Sequence, residues 1–261
     1  MSAGSDAARN LKKSLALSER ALQNRPDIVA LPENFYWRGP KQALARLAAE
    51  ATPAALDAFS ALARKSRTAF LLGSIIEPSR DKRRFYNTSV LIASSGKIQT
   101  RYRKIHLFDV TLPQGVSICE SETCCAGKTA VTALIRGRRA GFAVCYDLRF
   151  PELFRQLMHA GSRMIFLPAN FTRETGQAHW ETLIRARAIE NQVFMIAPAQ
   201  TGTHPVTGVA SYGNSLIVDP WGQVLARGSL SREEVVWADL DWGIQDRLRR
   251  RFPVLQHIRL A

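Results

Sequence analysis

The chain has 261 residues, 46% of them hydrophobic and 22% charged, a composition that fits a folded globule and excludes a disordered or fibrous chain. Its net charge of +14 comes from scattered basic residues, densest at Lys82–Arg84, Arg101–Lys104, Arg136–Arg139 and Arg247–Arg251, with little aromatic interleaving, so no nucleic-acid partner is expected. No apolar run approaches the roughly 20 residues of a spanning helix. The four cysteines lack CxxC spacing and follow no secretory segment, so a cytoplasmic protein without a membrane partner is expected.

Residues 6–24 read as an amphipathic helix with Leu11, Leu15 and Leu22 on one face, and 27–33, DIVALPE, as a short buried strand ending at Glu33. Helices are predicted over 41–50 and 53–66, the second with Thr52 as its N-cap, followed by a strand at 68–76. Strands 85–94 and 97–103 form a hairpin across Ser95 and Gly96 that runs into Lys104. Between Lys104 and Lys128 the periodicity is lost; a stretch this long is more often functional, and it holds His106, Asp109, Glu120 and Glu122.

Strands at 129–135 and 139–145 precede a helix at 150–160, a strand at 164–168, a helix reaching Asn191 and a strand at 192–199. Further strands are predicted at 214–219, 223–227 and 234–240, with a last helix at 242–251. Alternating strands and helices predict an α/β architecture, and no Pro/Ser/Gly-rich linker divides the chain, so residues 1–261 are read as one domain.

The stretch from Gly141 to Met158 changes period at a cysteine: Phe142–Val144 read as a buried strand, Leu153, Phe154, Leu157 and Met158 as a helix face, and Cys145 sits at the junction. The plain alternative is a small core residue. A thiol facing a helix N-terminus, however, meets unpaired N–H groups and a positive dipole end, which favour a thiolate and the oxyanion of acyl transfer. No GxSxG or HExxH is present, Gly127-Lys128-Thr129 fails as a phosphate loop because Glu122 replaces the earlier glycine, and the five dispersed histidines imply no metal.

Three polar residues remain at or near strand ends: Glu33, Lys104 and Cys145. If those strands are neighbours, the three converge. Carboxylate, ammonium and thiol together suit acyl transfer at a carbon bonded to nitrogen. Cys145 attacks the carbonyl, Glu33 takes the thiol proton and passes it to the leaving amine, and Lys104 with the Tyr146 backbone N–H stabilises the oxyanion.

LPENFYW, YRKIHLFD and CYDLRFPEL, in this order, resemble the three signature segments of the nitrilase-related carbon-nitrogen hydrolases, and the likeness runs from about Asp6 to the end. The resemblance implies a four-layer α-β-β-α sandwich, a homodimer, a small-molecule amide substrate and no cofactor. ICESET at 118–123, TGQAHWETLIRARAIENQ at 175–192 and ASYGNSLIVDPWG at 210–222 are similar to the branch that holds deaminated glutathione amidase and omega-amidase. That likeness implies Glu120 as a second glutamate on the lysine, and Arg149 and Thr175 at the substrate, with a structural Arg149–Glu152 pair and a helix N-cap as the respective alternatives. The expected substrate is a linear amide whose acyl part ends in a 2-oxo carboxylate. An omega-amidase, a carbamoylase or nitrilase, and a catalytically idle scaffold are the alternative functions. Two departures stand out: the family's first strand, ahead of the first helix, is missing, and Cys124-Cys125 replace small or hydroxyl residues, an oxidation liability if near the pocket.

Overall fold

A computed structural model describes every residue except 82, 112–114, 116 and 261, so Lys82 of one basic cluster lies outside the described residues. The first sheet is built around β2 (Ala69–Pro78), which pairs in parallel with β1 (Ile28–Ala30) and antiparallel with β3 (Phe85–Ile92); β4 (Ile98–Arg103) completes the expected hairpin. Successive strand residues face opposite ways. Leu71 and Leu91 therefore join a core shared with the second sheet, while Phe70, Leu72, Val90 and Ile92 pack in a separate core with residues of α1 (Ala7–Leu22) and α2 (Thr52–Ser66).

The second sheet has six strands in the order β12-β11-β10-β9-β8-β7, made of β7 (Thr132–Ile135), β8 (Arg138–Phe142), β9 (Met164–Phe166), β10 (Phe194–Ala197), β11 (Leu216–Val218) and β12 (Val224–Arg227). Strands β8, β9 and β10 are parallel, joined by crossovers through α3 (Pro151–His159) and α4 (Arg173–Asn191). Leu153, Phe154 and Leu157 of α3 and Trp180, Ile184 and Ala188 of α4 are buried in the core of this sheet. Helix, sheet, sheet and helix stack in the four-layer order. A short hairpin, β5 (Asp109–Thr111) with β6 (Ser117–Cys119), occupies the stretch without periodicity, and α5 (Trp242–Arg251) closes the chain.

Two local expectations are corrected. Thr52 is not a cap, because residues 41–51 already run helically into α2 and Ala51 itself has helical dihedrals. Its hydroxyl instead donates to the Ile76 carbonyl (3.0 Å) and accepts from Tyr36 (2.9 Å), anchoring the loop that follows β1. Residues 234–240 are not a strand. The alternating pattern of EVVWADL is suitable, but a strand also needs a partner, and among the described residues its backbone makes no hydrogen bond.

Ahead of α1 the chain forms no strand; Gly4 accepts from the Arg38 N–H and Met1 from the Thr201 N–H. Asp27 and Leu31 bond toward β2, so Ile28 and Ala30 turn their backbone groups to the open edge of the sheet. That edge and residues 235–240 border a groove of about 740 Å³.

Candidate active site

Glu33 stands just beyond β1, where the chain turns sharply: Asn34 takes a left-handed φ of 54° and its N–H donates to Ser74 Oγ (2.9 Å). Gln200 Nε2 donates to the carbonyls of both Glu33 and Asn34 (3.0 Å each). The loop can lie this close to β2 only because residue 73 is glycine; a Cβ there would meet Leu31 O at 2.0 Å and Pro32 O at 2.2 Å. Backbone cannot yield as a flexible side chain does. Gly73→Ala is accordingly expected to cost about 1–3 kcal/mol and to displace Glu33. A thermal melt checks the first effect, and a fall in kcat at nearly unchanged KM checks the second.

Lys104 follows β4, its N–H bonded to Asn87 O (2.9 Å), and its side chain is only 2% exposed. Nζ donates to Glu33 Oε1 at 3.2 Å and to Glu120 Oε2 at 2.7 Å. Burial opposes the ammonium charge, but Glu120 and Glu33 outweigh it and hold its pKa well above the ordinary lysine value, so it stays charged. Glu120 opens a 3₁₀ turn after β6, and its Oε2 also accepts the Phe108 N–H (2.8 Å). Lys104, Glu33 and Glu120 thus meet in one largely buried cluster.

Cys145 begins a 3₁₀ turn after β8 with a φ of 50°, a left-handed conformation that is unusual for a side-chain-bearing residue and costs roughly 1–3 kcal/mol. The turn is held by the Cys145 N–H donating to Pro168 O (2.9 Å). Glu33, Lys104 and the Asn170 backbone all act electrostatically on the thiol. Burial and the neighbouring Glu33 push it well above the ordinary cysteine value, against the pull of Lys104 and the Asn170 N–H. The helix-end effect that favours a thiolate is outweighed by burial and the neighbouring carboxylate, so the sulfur keeps its proton.

Asn87 went unnoticed in the sequence. Its Nδ2 donates to Glu33 Oε1 (2.9 Å) and Glu120 Oε1 (3.0 Å), so one amide spaces the two carboxylates. The available signal was a polar residue inside the run FYNTSVLI, ordinarily read as a solvent-facing position, yet Asn87 is buried.

Arg149 makes no ion pair among the described residues, Glu152 included; its guanidinium lies 5.4 Å from the Phe171 ring centre and 5.7 Å from that of Tyr146, with Nη1 3.3 Å from His179 Nδ1. Thr172, not Thr175, is the N-cap of α4: its hydroxyl accepts the Thr175 N–H and bonds the Thr175 hydroxyl at 2.8 Å. Tyr146 lies in the first turn beyond Cys145, where N–H groups lack intrahelical acceptors. The Cys124 thiol, near the carboxylates, is pushed up to about 12 by burial and by Glu120, which suppresses the thiolate that oxidation requires. All four cysteines are free thiols. None of Glu33, Lys104, Glu120 and Cys145 lines the 740 Å³ groove.

A protein-family model described as carbon-nitrogen hydrolase matches residues 2–249. The chain is 35% identical over 260 residues to a deaminated glutathione amidase of Synechocystis sp., covering 98% of this chain and 95% of that one. It is 38% identical over 263 residues to the nitrilase and fragile histidine triad fusion protein NitFhit of Caenorhabditis elegans, covering 99% of this chain but 59% of the fusion protein. The crystal structure of that fusion protein superposes with a TM-score of 0.93 at 37% identity, covering 99% of this chain and 63% of that one. The Saccharomyces cerevisiae Nit3 structure, from the nitrilase superfamily, gives 0.85 at 29% identity, covering 97% and 91%. With its four-layer fold, its matched length and its near full-length relatives, the chain belongs to the carbon-nitrogen hydrolase family and is an amide-hydrolysing enzyme.

Proposed function

We propose that this enzyme hydrolyses deaminated glutathione to 2-oxoglutarate and cysteinylglycine through a thioester on Cys145. The carrying observation is the buried cluster in which Lys104 bridges Glu33 and Glu120 while Glu33 and Lys104 both act on the buried Cys145 thiol. The substrate follows from relatives named deaminated glutathione amidase that are 35–38% identical over almost the whole chain.

In this reading Glu33 accepts the thiol proton as sulfur attacks the amide carbon, and returns it to the leaving amine as the tetrahedral intermediate collapses. The oxyanion is met by Lys104 Nζ and the Tyr146 N–H, donors already in place before reaction. Glu120 keeps the ammonium charged and aimed. Water, deprotonated by Glu33, then cleaves the thioester. Arg149, held on aromatic faces and without a carboxylate partner among the described residues, is suited to a substrate carboxylate, with Thr175 on the adjoining helix turn.

The test is release of 2-oxoglutarate from deaminated glutathione and from 2-oxoglutaramate side by side, with Cys145→Ala as control. A higher kcat/KM on the former, lost in the variant, supports the proposal. Preference for 2-oxoglutaramate makes the enzyme an omega-amidase, and silence on both overturns the substrate assignment.

A further inference from the structure

Asp147 is fully buried, and its two oxygens accept four hydrogen bonds. Oδ1 takes the His106 backbone N–H (3.0 Å) and the His106 ring Nδ1 (2.7 Å); Oδ2 takes the Tyr102 hydroxyl (2.7 Å) and the Val144 N–H (2.8 Å). The positions of these donors matter more than their number. Tyr102 lies two residues before Lys104 and His106 two residues after it, while Val144 immediately precedes Cys145. One carboxylate therefore ties the chain on both sides of the lysine to the chain entering the cysteine.

Little else in the clasp can move. The His106 ring stacks on Phe150 with centres 3.7 Å apart and planes within 6°, and Tyr102 is wholly buried. Burial and the adjacent Asp147 raise the tyrosine well above its ordinary pKa, so it remains a donor. Every partner of Asp147 donates, which only a carboxylate can satisfy on both oxygens. An asparagine would turn its NH₂ either toward the Val144 N–H or toward the two His106 donors.

We propose that Asp147 is a positioning residue that sets the separation between Lys104 Nζ and Cys145 Sγ. The proposal rests on the reading above in which Cys145 is the nucleophile and Lys104 the oxyanion donor. A displacement of about 1 Å in such a pair can cost about 10²-fold in rate. Because Lys104 pulls the thiol pKa down, a loosened clasp also weakens that pull.

The test compares wild type, Asp147→Asn, Tyr102→Phe and Cys145→Ala by steady-state kinetics on the amide, by the pH midpoint of iodoacetamide alkylation, and by circular dichroism. Asp147→Asn is expected to lose about 10²-fold in kcat with KM within about threefold. Its alkylation midpoint rises. Tyr102→Phe, which removes one bond and keeps the ring, shifts both readouts the same way by about tenfold or less in kcat. It decides the matter if Asp147→Asn does not fold. Folded variants that keep wild-type kcat and midpoint, or that lose thermal stability alone, overturn the proposal. Turnover surviving in Cys145→Ala would overturn the underlying reading of the site instead, so the two failures are distinguishable.

Discussion

Glu33→Gln is expected to lower kcat/KM by about 10²–10⁴-fold while making Cys145 easier to alkylate at neutral pH. The two effects have opposite signs because the carboxylate does two things. In the resting enzyme burial, together with the nearby carboxylate, holds the thiol protonated. An amide in its place removes the repulsion and leaves the attraction of Lys104, so the thiol pKa falls and more thiolate is present at pH 7. The same amide cannot take the proton during attack or deliver one to the leaving amine. A folded Glu33→Gln protein that is nearly inactive on amides and quicker with iodoacetamide fits the proposal. Loss of alkylation together with turnover would instead mean that Glu33 activates the sulfur by lowering its pKa.

The layered architecture was legible in the sequence because hydrophobic period changes at most element boundaries, and the glutamate, lysine and cysteine stood out because each follows an apolar strand. What brings them together is the pairing of β1 with β2 and the packing of the two sheets, which periodicity alone does not specify. Residues 234–240 show the limit from the other side: their alternation is that of a strand, and without a partner they remain an extended segment beside an open edge. The balance that keeps Cys145 protonated is hidden in the sequence for a related reason. A helix terminus can be read from the order of residues, whereas burial and the approach of Glu33 arise only on folding. Asn87 escaped notice because a polar residue in a strand ordinarily marks the wet face, and here it marks the layer beneath the two carboxylates. Glu120 was reached through family likeness alone, since nothing in its irregular surroundings points back to Lys104.

Lys104→Met is expected to be damaging in two separable ways. Removing the ammonium leaves Glu33 and Glu120, whose side chains are 4% and 15% exposed, facing each other without a counter-charge. Breaking a buried pair in this manner costs about 3–5 kcal/mol, or a fall in Tm of about 6–20 °C for a chain of this size. Loss of an oxyanion donor costs a further 10²–10³-fold, roughly, in kcat. The pH dependence has a definite sign. The lysine pKa is raised on folding, so its stabilisation is complete below the unfolded value near 10.5 and is lost only as pH rises through the higher folded value. Across pH 6–9 the wild-type contribution is therefore flat. Lys104→Met combined with Glu120→Gln separates the effects: with one carboxylate neutralised, much of the Tm returns, but turnover does not. Recovery of activity in the double variant would show that Lys104 serves the fold and not the reaction.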